Sequence, residues 1–338
     1  MSAKPVVAVV GATGLVGQMI LEVLAERAVA VGEVRALAHE ARGRQVAFGS
    51  AALPVEPLNE TTLAGADVAF FAATTDISAA WAPRAAAAGT LVIDKSSRFR
   101  LDPEVPLVVP EVNGHLLADG ARLVASPNCS TIQLVLPLAA IARHRRIRRV
   151  LVSTYQAVSG SGREAVEELD RQVRAGEEHR TVEPGPVYPH PIAFNVLPQC
   201  DTFAELDFTG EEWKLMRESE KILGRPLNLS ATAVRVPVRV GHTETVYIEL
   251  DAPASVTEAR RWFSDMPGLR LEDDPRNGRY PTPLLAAGND WVWVGRVRSD
   301  PHRAEGLHFV VAADNLRKGA ATNAVQIMER AREGAVHG

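Results

Sequence analysis

The first third of the chain alternates short apolar runs with segments of helical period. Val6–Val10 reads as a strand. Leu15–Arg27 reads as a helix with Leu15, Met19, Val23 and Leu24 on one face, and Glu33–Ala38 as a second strand. Asp67–Ala72 and Thr90–Asp94 read as further strands, separated by a helical stretch over Ile77–Ala88. Repeated β-α-β order predicts a parallel sheet covered by helices on both faces. Arg122–Ala125 is a further short strand, after which Thr131–Leu136 opens an apolar helix. From Arg149 the texture changes. Val150–Ala157, Ser230–Val240, Thr245–Asp251 and Leu307–Ala313 are long β-rich segments, with helices over Gly162–Ala175 and Thr209–Leu223. They predict a mixed, largely antiparallel sheet in a second domain. Glu178–His190, rich in Pro, Gly and charge, predicts a loop. Leu316–Ala335 is helical again and is placed to return to the first domain.

A chain of 338 residues exceeds what one core usually holds, so two domains are expected. The formal net charge is −4, from 37 basic and 41 acidic residues, and no basic stripe appears. Nucleic acid is therefore excluded as a partner class. The one local exception, Arg143–Arg149, reads as a solvated helix end. Two cysteines make no disulfide framework and fit a reduced, cytoplasmic setting. Pro5–Val10 runs straight into a glycine turn, with no basic leader or cleavage site. The Ala-rich stretch Ala79–Ala88 is broken by Trp81, Pro83 and Arg84 and is no membrane span. No cluster has metal-ligand spacing, so no metal is expected.

Two motifs carry chemistry. Strand Val6–Val10 leads into Gly11-Ala12-Thr13-Gly14-Leu15-Val16-Gly17 and a helix. Glycines there permit a tight turn and close approach of a pyrophosphate, and the helix N-terminus supplies N–H donors. Strand two ends at Ala38-His39-Glu40-Ala41-Arg42, where an acid favours the ribose of NAD and an arginine the 2′-phosphate of NADP. Glu40 and Arg42 point in opposite directions. The second motif is Ser126-Pro127-Asn128-Cys129-Ser130-Thr131, which sets Cys129 at a strand-to-helix turn. Unpaired N–H groups and the helix dipole stabilise thiolate over thiol, so such a cysteine can attack an acyl carbon and hold it as a thioester. An isolated cysteine there would be a packed cap residue.

Four further segments keep it company: Thr154–Gly162, Val234–His242 (read as one strand carrying Arg235 and His242), Glu211–Lys214 at a helix start, and Ser96–Arg100. With Val108–Asn113, Ala193–Gln199 and Asp314–Ala321 they closely resemble the aspartate-β-semialdehyde dehydrogenases, in order and over nearly the whole chain. The resemblance implies an α/β fold: a Rossmann-type NADP-binding domain, residues 1–127 with a C-terminal helix 315–338, and an α+β catalytic and dimerisation domain, residues 128–314. It implies NADP, with NAD as the alternative, and a homodimer or dimer-based tetramer. The implied reaction reduces L-aspartyl 4-phosphate to L-aspartate 4-semialdehyde and inorganic phosphate, on the route to lysine, methionine, threonine and diaminopimelate.

By the same resemblance Cys129 is the nucleophile, His242 the general acid/base and Gln156 the residue orienting the acyl intermediate. Arg235 anchors the substrate's α-carboxylate and Glu211 its α-amino group, while Arg100 and Lys214, with Asn128, bind phosphate. Gly11, Thr13, Gly14, Leu15 and Val16 map to the pyrophosphate turn, Arg42 to the 2′-phosphate, and Ser159, Gly160 and Asn315 to further cofactor contacts. Three departures stand out. Glu40-Ala41-Arg42 replaces the family's Arg-Ser, two extra cations, Lys95 and Arg98, flank the phosphate motif, and Cys200 replaces an aliphatic residue. Cys200 reads as a small packed residue. An N-acetyl-γ-glutamyl-phosphate reductase is the nearest enzymatic alternative, and a non-catalytic paralogue the alternative of another class. Pro127-Asn128-Cys129-Ser130 and Glu211 argue against the first, because a blocked amine offers no cation to an acid. The presence of both Cys129 and His242 argues against the second.

Overall fold

The protein is described by a computed structural model covering residues 4–41 and 43–336. It divides into two compact units, one running to Asn128 and resuming at Ala320, the other Cys129–Gly319. The second crossing falls five residues beyond 314. Asn315 stays with the second unit because its side chain bonds Ser159 there and accepts from the Gly241 N–H.

The first unit contains, in chain order, β1 (Val6–Val10), α1 (Leu15–Glu26), β2 (Glu33–Ala38), β3 (Gln45–Phe48), β4 (Ala51–Pro57), α2 (Glu60–Leu63), β5 (Val68–Phe71), α3 (Thr75–Ala87), β6 (Leu91–Asp94), α4 (Pro110–Asn113) and β7 (Leu123–Ala125). Its seven strands lie in the order β3-β4-β2-β1-β5-β6-β7. All neighbours are parallel except the β3–β4 hairpin. Val7, Ala8, Val9 and Val10 are all buried, so both faces of the sheet are covered, as a parallel sheet requires. β1 has β2 on one side and β5 on the other, so the glycine turn leaves the sheet where strand order reverses. Gly11 has φ +83°, and a Cβ there would stand 2.2 Å from the Ala72 carbonyl oxygen. A Cβ on Gly17 would stand 2.2 Å from the Gly11 oxygen, so this third glycine lets α1 lie against the turn. The buried face of α1 is Gly17, Ile20, Leu21, Val23 and Leu24. That corrects the expected face: Leu15 and Met19 are only half-buried, Leu15 because it occupies the exposed first turn.

The second unit comprises α5 (Cys129–Ala142), β8 (Ile147–Gln156), α6 (Arg163–Glu177), α7 (Gly210–Leu223), β9 (Leu229–Arg235), β10 (His242–Leu250), α8 (Val256–Ser264), β11 (Leu269–Leu271), α9 (Pro283–Ala286), β12 (Val292–Ser299) and β13 (Gly306–Ala313). The chain then passes through a π turn, Arg317–Ala321, into α10 (Thr322–Val336) of the first unit, which packs on α1 and α4. The sheet order is β11-β12-β13-β10-β8-β9, antiparallel from β12 to β8 and parallel at both edges. α5, α7 and α8 pack against this sheet. Burial along β10 alternates, with His242, Glu244, Val246, Ile248 and Leu250 inward.

Two expectations for this unit are corrected. Ser230–Val240 is not one strand. β9 stops at Arg235 and β10 starts at His242, with β8 lying between them. Pro237 has no N–H to give a ladder, and Gly241 turns the chain at φ +97° with a Cβ position 2.9 Å from Pro283. The basic run Arg143–Arg149 is not only a helix end, since Ile147, Arg148 and Arg149 already belong to β8.

Gly11→Ala should lower unfolding stability by roughly 2–5 kcal/mol, from left-handed strain plus overlap with Ala72. Gly65→Ala is the control. Its φ is +70° with nothing within 4 Å of the added carbon, so the loss should be about 1–2 kcal/mol. Urea unfolding of the two variants checks the difference, and equal losses would contradict the close approach at Gly11.

Candidate active site

The inward ends of β9, β8 and β10 lie side by side. Gln156 pairs with Arg235, and Thr243 pairs with Tyr155. Three residues remote in sequence, Arg235, Gln156 and His242, thereby reach one end of the sheet on the helix-covered side. Cys129 opens α5 above them, and its Sγ lies 3.3 Å from His242 Nε2. The other ring nitrogen, Nδ1, accepts a hydrogen bond from the Ala157 backbone N–H at 2.9 Å. His242 is fully buried. Burial, and then the Arg235 guanidinium, hold its imidazole well below the ordinary histidine range.

Glu211 is brought in by the start of α7. Thr209 and Glu212 form a reciprocal capping box, and Glu212 also accepts from the Ala233 N–H at 2.8 Å, which ties the helix to β9. Glu211 Oε1 then accepts from Gln156 Nε2 at 3.1 Å and from the Ser130 hydroxyl at 3.4 Å. Gln156 Nε2 also lies 2.8 Å from Ser130 Oγ and 3.2 Å from Thr154 Oγ1. Lys214 Nζ sits between Glu211 Oε2 at 3.4 Å and Asp201 Oδ2 at 2.6 Å. Arg235 is buried and donates from Nη1 to the Ala157 carbonyl at 2.9 Å. Ser159 and Asn315 are paired to one another, and Gly160 packs on the His242 ring, a Cβ there lying 3.2 Å from Nε2.

The first unit carries the remaining candidates. Thr13, Leu15 and Val16 are half-buried and Gly14 exposed, and α1, with Gly14 at its N-cap, has no side-chain cap. Its first N–H groups are thus left for an anion, which fits a pyrophosphate. Arg100 is buried rather than a surface charge, donating from Nη2 to the Lys95 carbonyl at 2.8 Å, and Asn128 is buried at the end of the unit. Of the two extra cations, Lys95 donates to the Pro127 carbonyl at 2.9 Å and Ser126 Oγ at 3.3 Å, while exposed Arg98 lies over the Phe99 ring. Arg42 lies outside the described residues. Cys200 is buried, and burial pushes its thiol up to about 12, which removes it as a nucleophile.

Several residues of the site were given no role of their own by the sequence, although three of them lie inside its motifs. Ser130 and Thr154 connect the polar groups, and Gly319 backs the nucleophile, a Cβ there meeting Cys129 Cβ at 3.0 Å. Glu244, two residues beyond His242 on the same face of β10, is fully buried. Gln133 on α5 is aimed at it, yet neither carboxyl oxygen closes a hydrogen bond of good geometry. Burial raises its carboxyl well above the ordinary range, opposed by Gln133 and assisted by the Glu211 charge. Only the inward period of β10 could have flagged it.

A parallel-sheet unit with an uncapped glycine turn, joined in one chain to a mixed-sheet unit bearing a thiol–imidazole pair, defines a nicotinamide-dependent oxidoreductase of the aldehyde-dehydrogenase class. The chain belongs to the semialdehyde dehydrogenase family: residues 6–120 match its NAD binding domain and residues 138–318 its dimerisation domain. Aspartate-semialdehyde dehydrogenase of Aquifex aeolicus is 46% identical over 328 residues, covering 96% of each chain. That of Bacillus subtilis is 43% identical over 332 residues, again covering 96% of each. The crystal structure of aspartate semialdehyde dehydrogenase II from Vibrio cholerae, complexed with ASA, superposes with a TM-score of 0.94 at 40% identity, over 98% of this chain and 99% of that one. Among the described residues, no helix is long and apolar enough to cross a membrane.

The buried acid has a thermodynamic signature. A carboxyl whose folded pKa is raised contributes its stability fully below the ordinary 4.5 and loses it as pH rises toward the folded value. Glu244→Gln should therefore match the wild type near pH 4.5. Above that it should gain relative stability by up to about 1.4 kcal/mol per pH unit. Thermal unfolding across pH 4.5–8 checks this, and a pH-independent difference would show that Glu244 ionises normally.

Proposed function

We propose that the chain catalyses the reversible NADP-dependent conversion of L-aspartyl 4-phosphate to L-aspartate 4-semialdehyde and phosphate, through a thioester on Cys129. The observation that carries the reading is the 3.3 Å approach of Cys129 Sγ to His242 Nε2 at the head of an apolar helix. Cys129 attacks the acyl carbon and phosphate leaves with the C–O electron pair. Gln156 orients the bound acyl group, and His242 is the imidazole serving the sulfur and the reacting oxygen. Arg235, with one terminal nitrogen already bound to Ala157, offers the rest of its fork to the α-carboxylate. Glu211 takes the α-ammonium. A blocked amine would leave that buried carboxylate without its cation, which favours the aspartyl substrate over the acetylglutamyl one.

Lys214, Arg100 and Asn128 are proposed for phosphate. Gly11, Thr13, Gly14, Leu15 and Val16 would hold the pyrophosphate of the cofactor, Arg42 its 2′-phosphate, and Ser159, Gly160 and Asn315 would make further contacts. The bound nicotinamide supplies and accepts hydride. The match to a dimerisation domain supports a homodimer, and the reaction proposed is that of an amino-acid biosynthetic enzyme of the cytoplasm.

Absorbance at the nicotinamide band, with L-aspartate semialdehyde, phosphate and either NADP⁺ or NAD⁺, tests the reaction and the cofactor together. Cys129→Ala should abolish phosphate-dependent reduction while keeping a wild-type unfolding midpoint, and residual turnover at the wild-type rate would exclude the thioester. Arg235→Lys should raise KM for the aldehyde roughly 10- to 100-fold, the loss of a hydrogen bond to a charged group. An unchanged KM would remove Arg235 from the carboxylate.

A further inference from the structure

Resting on the thioester reading above, we propose that Glu244 and Gln133 form a reciprocally hydrogen-bonded pair that fixes α5 to β10 and so sets Cys129 beside His242. Neither touches the reacting atoms, and both are positioning residues.

The pair stands in step with the reacting one. α5 packs on β8 and β13, the two neighbours of β10, and so lies over that strand. Gln133 follows Cys129 by four residues, a rise of about 6 Å on the same helix face. Glu244 follows His242 by two residues, about 6.6 Å along the inward face of β10. The two spacings nearly match. A helix that brings Cys129 Sγ to 3.3 Å from His242 Nε2 therefore brings Gln133 to Glu244. Both side chains are fully buried.

A count of donors says how they bind. Gln133 Nε2 and Oε1 and both Glu244 carboxyl oxygens find no partner elsewhere among the described residues. Gln133 is the side chain that acts on the Glu244 carboxyl as a hydrogen-bonding neighbour. A carboxylate only accepts, so it could take a Gln133 N–H and would leave the amide oxygen bare. A carboxylic acid does more. Its O–H donates to Gln133 Oε1 while its carbonyl accepts from Nε2–H, and all four buried atoms are used.

The surroundings keep that proton in place. The titratable groups around Glu244 are Glu211 on α7, His242 two residues back on β10 and Cys129 on α5, with Arg235 of β9 beyond His242. Its cross-strand neighbours, Thr154 of β8 and Val311 of β13, carry no charge. Burial favours the neutral acid, and the Glu211 charge opposes a second anion.

The other tie of this part of α5 is committed elsewhere. Ser130 reaches Gln156 at 2.8 Å and Glu211 at 3.4 Å. In the proposed reaction both of those partners turn to the substrate, whereas Gln133 and Glu244 have no part in binding it. Their pair holds the first turns of α5, and with them the sulfur, through every step.

Three variants of the whole chain test this: Glu244→Gln, the exchange Gln133→Glu with Glu244→Gln, and the apolar double variant Gln133→Leu with Glu244→Leu. Turnover of L-aspartate semialdehyde with phosphate and the nicotinamide cofactor the wild type uses gives kcat and KM. The pH dependence of iodoacetamide alkylation reports the Cys129 thiolate alone, because the one other cysteine, Cys200, is buried with its thiol pushed up to about 12. Glu244→Gln and the exchange each rebuild a reciprocal pair, so both should keep kcat and the alkylation profile close to wild type. The apolar double variant leaves no polar atom unpaired and should fold. Its kcat should nevertheless fall roughly 10- to 100-fold, the effect of a displaced reacting group, with KM little changed. Its alkylation inflection should move to higher pH, since the sulfur loses the imidazole that favours thiolate. A folded double variant with wild-type kcat and alkylation profile would overturn the proposal. So would a loss in Glu244→Gln or in the exchange as large as in the double variant. Absence of phosphate-dependent turnover in the wild type would instead defeat the functional reading, while the alkylation profiles still decide the positioning role.

Discussion

The second unit buries a polar patch beneath the first turns of α5, and much of its local architecture serves to satisfy that patch. Arg235, Gln156, His242 and Glu244 project from three adjacent strands into a layer that would otherwise be filled by Leu, Val and Ile. Each polar group there loses water, so each needs a partner or a neutral form. Ala157 answers for two of them at once, giving its N–H to His242 and its carbonyl to Arg235. Ser130 and Thr154 answer for the Gln156 amide. The capping box at Thr209 and Glu212 fixes where α7 begins, and so where Glu211 meets the patch. Local helix chemistry and site geometry are here the same set of hydrogen bonds.

The first unit meets a simpler constraint. A parallel sheet buried on both faces leaves only the strand ends for ligands, and the turn after β1 is left open by three glycines and by the missing cap of α1. Gly11 and Gly17 act by what they lack, since a Cβ at either would strike backbone. The same reasoning applies at Gly319 and Gly160 in the other unit, where a side chain would press on Cys129 or on His242.

Periodicity made the buried elements legible. β1, β2, α1, α3, α7 and β13 stand within a residue or two of where apolar runs and helical spacing put them. The β3–β4 hairpin and β12 were not legible, the first being short and half-exposed at a sheet edge. The largest misreading, a single strand from Ser230 to Val240, came from counting β-branched residues across Pro237. The proline and Gly241 were the signals to stop, and stopping there places β8 between Arg235 and His242. Motifs singled out Cys129, Gln156, Arg235 and His242 one by one, but not the arrangement in which the structure brings them together. Nothing in sequence order says that Gln156 lies between Arg235 and His242, or that the Ala157 amide meets the histidine's Nδ1.

Charge is spent sparingly in this layer. A buried ion with no partner is far more costly than a neutral acid or base, so a site able to run with fewer charges is easier to fold. Arg235 and Glu211 each have protein partners and, in the proposed reaction, an oppositely charged group of the substrate to meet. Burial displaces His242 and Glu244 toward neutrality, from opposite sides of the pH scale. In the proposed reaction, a substrate with an α-carboxylate and an α-ammonium would meet Arg235 and Glu211 as the complementary pair. Its reacting end would meet the Cys129 sulfur with the His242 imidazole 3.3 Å beside it.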